Sequence, residues 1–154
     1  MNSIERFLAH AIELEREAAR RYEELAESMT THGNRELREF FARMAYFSRK
    51  HLAEAQARGG FRELPQLRAE EFDWPEGTSP ETAEWAGVDP LMSGRDALEL
   101  ALDGERRGHA YYAAIAATST DPDVRHIAAQ FADEEAAHVR ELEKRLAAAS
   151  SPSH

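Results

Sequence analysis

The sequence predicts an all-α protein in which four helices form a bundle, arranged as two helical hairpins joined by a long crossover connection. Four segments carry apolar residues at alternating spacings of three and four, which is the period of one helix face. Short turns join these segments in pairs, and a proline-interrupted stretch at 59–93 separates the pairs. With 154 residues, 42% of them hydrophobic, the chain has the size and composition of one domain.

The first hairpin consists of predicted helices at 3–31 and 35–58. Gly33 marks the end of the first helix and Asn34 the N-cap of the second, which runs to a pair of glycines. The inward stripe of the first helix is Ile4, Leu8, Ala11, Glu15, Ala18, Tyr22, Leu25 and Met29. The stripe of the second is Leu37, Phe41, Met44, Ser48, His51 and Ala55.

The connection at 59–93 has no helical periodicity and contains four prolines, so we expect an irregular path with one short turn of helix. Three aromatic side chains are expected to pack it against the bundle, namely Phe72, Trp74 and Trp85. The bundle domain is predicted to span residues 1–149. A short polar tail at 150–154 is expected to be disordered.

The second hairpin consists of predicted helices at 94–118 and 122–148. Ser93 is the predicted N-cap of the first, with Asp96 as its capping-box partner, and Pro122 occupies the first turn of the second. The inward stripe of the first is Leu98, Ala101, Glu105, Gly108, Tyr112 and Ile115. The stripe of the second is Val124, Ala128, Phe131, Glu135, His138 and Leu142.

Composition restricts the partners and the chemistry. A formal net charge of −10 has the wrong sign for a nucleic-acid or anionic-membrane surface. No apolar run is long enough to cross a membrane and the N-terminus does not resemble a signal peptide, so we expect a cytoplasmic protein. The chain contains no cysteine, which excludes disulfides, iron–sulfur clusters and rubredoxin centres. Any metal must therefore bind to oxygen and imidazole.

Each of the four apolar stripes is interrupted near its middle by polar residues. The interruptions are Glu15, Ser48 with His51, Glu105, and Glu135 with His138. Carboxylates buried together need compensating positive charge, because each is costly to desolvate and they repel one another. A metal ion supplies that charge, and carboxylate with imidazole suits iron or manganese when thiolate is absent. The sequence therefore predicts a metal site at one level of the bundle.

The two hairpins are similar in sequence, which strengthens this interpretation. Ala11-x3-Glu15-x2-Ala18-x3-Tyr22 returns as Ala101-x3-Glu105-x2-Gly108-x3-Tyr112, and Met44-Ala45-x2-Ser48-x2-His51 returns as Phe131-Ala132-x2-Glu135-x2-His138. Glu135 and His138 are three residues apart and share a helix face. Di-iron bundles place a Glu on each of two helices and a Glu-x-x-His on each of the other two. The chain supplies five of these six residues and has Ser48 at the sixth.

On these residues the chain resembles the rubrerythrin-like branch of the ferritin-like di-iron carboxylate superfamily, over nearly its whole length. The resemblance implies a ferritin-like fold holding two iron ions, or one if Ser48 makes the site degenerate, with manganese or zinc as alternatives. It implies the following roles: Glu15 and Glu105 as terminal ligands, Glu135 as a bridge, His51 and His138 as one imidazole for each metal, and Tyr22 and Tyr112 as tyrosines that hydrogen-bond the carboxylates.

The resemblance also implies an oxidoreductase of peroxidase or ferroxidase type, which reacts ferrous iron with dioxygen or hydrogen peroxide. Electrons would come from an external donor, because the chain has no rubredoxin domain. Two departures from the family pattern concern the site: Ser48 replaces a bridging carboxylate, and Gly108 stands where rubrerythrins proper carry a further glutamate. The alternative is a non-catalytic iron-binding or interaction bundle with a one-metal or empty site.

Other residues allow secondary readings. His109, four residues after Glu105, could fill a vacant coordination position, and Glu54, three after His51, could replace the missing carboxylate. The remaining histidines are expected at the surface, namely His10, His32, His126 and His154. Apolar residues on the helix flanks predict a homodimer that would bury them: Phe7, Ile12, Phe40, Phe47 and Leu102.

Overall fold

A computed structural model of the protein describes residues 1–60, 62–75, 77, 79–80 and 91–150. Its helices are α1 (Ile4–Thr31), α2 (Arg35–Gly59), α3 (Gly94–Thr118) and α4 (Pro122–Ser150), with a short 3-10 turn at Ala69–Glu71. Within the described ranges there is no β-strand, so the predicted all-α four-helix bundle is confirmed. No helix in this part of the chain is long and apolar enough to cross a membrane. The predicted packing of Trp85 and the tail beyond residue 150 lie outside the described residues.

Side-chain caps fix where the helices begin. Arg6 N–H is 3.3 Å from the Ser3 hydroxyl, and Leu37 N–H donates to Oδ1 of Asn34 at 3.1 Å. Asp96 N–H donates to the hydroxyl of Ser93, also at 3.1 Å. These caps satisfy backbone donors that have no partner within the helix.

The helices pack in pairs, α1 along α2 and α3 along α4, as the two predicted hairpins. The buried apolar side chains form two clusters, one at each end of the bundle. On every helix the predicted polar residues fall between the parts of the sequence that enter the two clusters, for example Glu15 between Leu14 and Tyr22. The polar residues of all four helices therefore lie at one level, between two apolar layers that exclude water.

His10 joins the crossover connection to α1, so the expectation that it lies at the surface is wrong. Its side chain is fully buried, and its Nδ1 lies 2.8 Å from the carbonyl oxygen of Arg6. Asp73 N–H donates to the other ring nitrogen at 2.8 Å, and the rings of Phe72 and Trp74 pack edge-on against the imidazole. Burial lowers the pKa of His10, so the ring is held neutral with Nδ1–H donating to Arg6. The packing of Phe72 and Trp74 onto the bundle is thus mediated by a histidine.

The flank residues on which the homodimer prediction rested divide into two groups. Phe7, Phe40 and Leu102 are buried inside the monomer and cannot contribute to a dimer interface. Ile12 is half-buried, and Phe47 is 41% exposed. The dimer remains a prediction, with a smaller apolar surface to support it.

Candidate metal centre

The structure brings all five predicted ligands together in the middle of the bundle. As whole residues, Glu15, Glu105 and Glu135 are at most 2% exposed. The side chains of His51 and His138 are 12–13% exposed. Each ligand arrives from the interrupted stripe of its own helix, so α1 and α3 contribute one carboxylate each, α2 contributes an imidazole, and α4 contributes both types.

Each imidazole faces a carboxylate of its own hairpin. His51 Nδ1 lies 3.9 Å from Oε2 of Glu15, and His138 Nδ1 lies 3.4 Å from Oε2 of Glu105. The imidazole rings are nearly parallel, with an interplanar angle of 13° and centroids 5.3 Å apart. His51, Glu135 and His138 each offer one ligand atom, and these atoms all lie within 4.8 Å of one another. Such a group is compact enough to hold a metal ion.

Two buried tyrosines hold the carboxylates from across the bundle. Tyr22 on α1 donates its hydroxyl hydrogen to Oε1 of Glu105 at 2.5 Å. Tyr112 on α3 donates to Oε1 of Glu15 at 3.2 Å. The two bonds are reciprocal: the tyrosine of each hairpin bonds the glutamate of the other. In both hairpins the tyrosine lies seven residues after the glutamate. They leave the second oxygen of each carboxylate facing a histidine.

The acids share the available protons unequally. Burial, together with the nearby Glu105 carboxylate, raises the pKa of Glu15 to about 8. Burial alone would also raise the pKa of Glu105, but the neighbouring side chains of Glu135, His138 and Tyr22 lower it. The pKa of His138 is raised, because the neighbouring carboxylates outweigh the burial that would lower it. At neutral pH Glu15 therefore favours its protonated form, and the carboxylates around His138 shift that ring toward the imidazolium.

Several polar atoms around this cluster lack a hydrogen-bond partner among the described residues. They are Glu105 Oε2, His51 Nδ1 and His138 Nδ1, all buried from solvent. Leaving a buried polar atom without a partner is costly, and a bound ion is one of the few reasons why native proteins do so. Carboxylate oxygens and imidazole nitrogens directed at one another are the donor set of an iron, manganese or zinc site. The residues present therefore fit a metal ion.

The secondary candidates differ in their placement. His109 Nδ1 lies 2.9 Å from the carbonyl oxygen of Ala132, so this nitrogen is not available to a metal. Ser48 is buried one turn before His51, where it brings no charge to the site. Glu54 is close enough to affect Glu134: burial raises the pKa of Glu134, and the negative charge of Glu54 raises it further.

Glu134 was not predicted as a site residue, yet it contacts a predicted ligand. Its Oε2 lies 3.3 Å from His51 Nε2, and its side chain is 36% exposed, at the rim of the site. Glu134 directly precedes Glu135 on α4, so the helical period places it beside the inward stripe and not on it. The pairing with His51 depends on the spacing between α2 and α4, which the sequence pattern does not specify.

A helical bundle with three buried carboxylates and two imidazoles at one level is a protein of the ferritin-like class. A family model described as Rubrerythrin matches residues 6–58. The solved structure of an uncharacterized conserved protein from Magnetospirillum magnetotacticum MS-1 is 42% identical, covers 99% of each chain and superposes with a TM-score of 0.80. The chain belongs to the rubrerythrin-like family. The comparison with curated proteins found no match.

Proposed function

We propose that the protein binds iron at this centre and oxidises ferrous iron with dioxygen or hydrogen peroxide. The observation that carries the proposal is the meeting of three fully buried carboxylates with two imidazole Nδ1 atoms that lack hydrogen-bond partners within the described structure. Family membership supports iron over other metals. The proposed ligands are Glu15 with His51 on one side, Glu105 with His138 on the other, and Glu135 between them.

Bound ferrous iron would supply the electrons that reduce the oxidant. The residues of the chain would hold the metal, orient its carboxylate ligands and shield the centre from water. Tyr22 and Tyr112 fix one oxygen of each terminal carboxylate, and so direct the other oxygen into the site. Glu15 must release its proton when metal binds, because a carboxylate ligand is deprotonated. The apolar clusters above and below keep water from the centre.

The proposal is tested by anaerobic titration with ferrous iron followed by addition of oxygen or peroxide. We expect saturable binding and oxidation of the bound ferrous iron faster than in buffer. Glu135→Gln should abolish both, since it removes the carboxylate that links the two sides. Asp133→Asn is the matched control, because it removes an exposed carboxylate two positions earlier on the same helix. Equal binding by both variants would refute the assignment.

A second candidate function is favoured by Ser48. Its hydroxyl is neutral and a weak ligand, so the site has fewer carboxylates than a complete di-iron centre. A non-catalytic iron-binding protein with one ion would follow if this loss is not compensated. The same titration separates the two functions, because the second predicts one ion per chain and no acceleration of iron oxidation.

Any continuous turnover would need an external electron donor. The chain has no cysteine, so it cannot carry a rubredoxin-type centre of its own. We therefore propose that a separate redox protein returns electrons to the oxidised site. Peroxide consumption in the presence of a reducing system, compared with a single oxidation without it, tests this step.

A further inference from the structure

The internal repeat places different residues beside the two imidazoles. When Ser48 is aligned with Glu135 and His51 with His138, the residue aligned with Glu134 is Phe47. Each of these two side chains lies near the imidazole of the opposite hairpin. Glu134 is 3.3 Å from His51, whereas the Phe47 ring lies beside His138 with centroids 6.4 Å apart. The repeat therefore gives one imidazole a carboxylate neighbour and the other an aromatic neighbour.

The contact with Glu134 is made by the nitrogen of His51 that faces away from the acidic cluster. Nε2 faces Oε2 of Glu134, while Nδ1 faces Oε2 of Glu15 at 3.9 Å. A neutral imidazole has a single N–H, so a hydrogen bond at one nitrogen determines where the free lone pair lies. If Nε2–H donates to Glu134, the lone pair of Nδ1 points into the centre, where a ligand atom is needed.

We propose that Glu134 is a positioning residue for His51, which fixes its ring and tautomer and compensates for the carboxylate missing at Ser48. This inference rests on the proposed function. A carboxylate that accepts the distal N–H of a metal-bound histidine makes the imidazole a better donor. It also places a negative charge close to the half of the site where α2 contributes no glutamate. The carboxylate of Glu134 on α4 would thus offset the absence of a carboxylate at Ser48 on α2.

The first experiment needs no metal. Two-bond proton–nitrogen correlation spectra of the histidine rings, recorded on metal-free protein, report the tautomer of each imidazole. We expect His51 to carry its proton on Nε2, with slow exchange of that proton with water. Glu134→Gln keeps an acceptor and should preserve the tautomer, whereas Glu134→Leu removes the acceptor and should accelerate exchange and populate the Nδ1–H form. His138 is the internal reference. Spectra of His51 that are identical in Glu134→Leu and the natural protein would overturn the proposal.

The second experiment is anaerobic titration with ferrous iron, which separates orientation from charge. Glu134→Leu should weaken one of the binding steps by about tenfold to a hundredfold, as expected for loss of an outer carboxylate partner. Glu134→Gln should weaken the same step by a smaller factor, since only charge is lost. Asp133→Asn, an exposed neighbour on the same helix, should change neither step. Equal affinities in all four proteins would overturn the compensation.

The two experiments fail independently. If the natural protein binds no iron, the proposed function is wrong, while the ring spectra still decide whether Glu134 orients His51. If iron binds and the spectra respond but the affinity does not, Glu134 is a structural contact and the metal-linked part of the proposal is wrong.

Discussion

Replacing Glu15 by glutamine should make the metal-free protein more stable and the metal-dependent stabilisation smaller. The folded protein raises the pKa of Glu15 to about 8, against an ordinary value of 4.5. Between these two values the folded state keeps a proton that the unfolded chain has lost, so rising pH favours unfolding. Each pH unit above 4.5 lowers the free energy of unfolding by about 1.4 kcal/mol, so the total loss at pH 7 is about 3 kcal/mol.

Glutamine has the shape of the protonated acid and does not titrate. Its amide oxygen can still accept the hydroxyl of Tyr112, which bonds Oε1 of Glu15. Glu15→Gln should therefore recover up to about 3 kcal/mol at pH 7, which corresponds to roughly 6–12 °C in melting temperature. The gain should shrink toward zero as the pH falls below 4.5, because the natural side chain is then protonated in both states.

The assay is urea or thermal unfolding of chelator-treated protein at several pH values, repeated with added ferrous iron under nitrogen. Glu27→Gln is the control, because it removes one exposed charge from the same helix. Added metal should stabilise the natural protein by an amount set by its concentration over the dissociation constant, and the glutamine variant by much less. A variant that is less stable than the natural protein at pH 7, or a gain that does not vary with pH, would refute the reasoning.

Three further predictions follow from the same geometry. Tyr22→Phe should lower the free energy of unfolding by about 1–3 kcal/mol, and Tyr112→Phe by about 1 kcal/mol, because only Tyr22 bonds an ionised acid; equal losses in urea unfolding would contradict this. His10→Ala should cost about 2–4 kcal/mol and increase hydrogen exchange at residues 71–74, whereas His32→Ala, at an exposed position, should change neither. Metal affinity should rise from pH 6.5 to 8, because metal binding displaces the proton of Glu15. Calorimetry in buffers of different ionisation enthalpy measures the released proton, and binding that does not depend on pH would contradict a proton on Glu15.

The fold could be predicted because helical periodicity is a local property of the sequence. Apolar residues every three or four positions determine which face of each helix turns inward, whatever the other helices do. A polar residue on that stripe, such as Glu105, must then enter the core. Its meeting with Glu15 follows from the matched positions of the two residues in the repeated hairpins. The location of the candidate site was therefore contained in the pattern.

The features that the sequence did not predict depend on contacts between distant segments. His10 is buried because residues 72–74 cover it, and the irregular connection has no period that reveals its path. Phe40 and Leu102 looked like surplus apolar residues because a stripe only one residue wide underestimates the buried face of a bundle helix. Glu134 is a similar case, since the gap between α2 and α4 decides whether it reaches His51.

The site also contributes to how the two hairpins are joined. Close packing is concentrated within each hairpin, between α1 and α2 and between α3 and α4. The reciprocal bonds of Tyr22 with Glu105 and of Tyr112 with Glu15 cross from one hairpin to the other in the middle of the core. A hydrogen bond to a buried charge is among the stronger polar contacts in proteins, but without a cation the acids avoid repulsion at neutral pH only because Glu15 keeps a proton. Metal binding should therefore tighten the contact between the hairpins, because it replaces that proton with a cation that carboxylates of both hairpins would bind, and it leaves the tyrosine bonds in place.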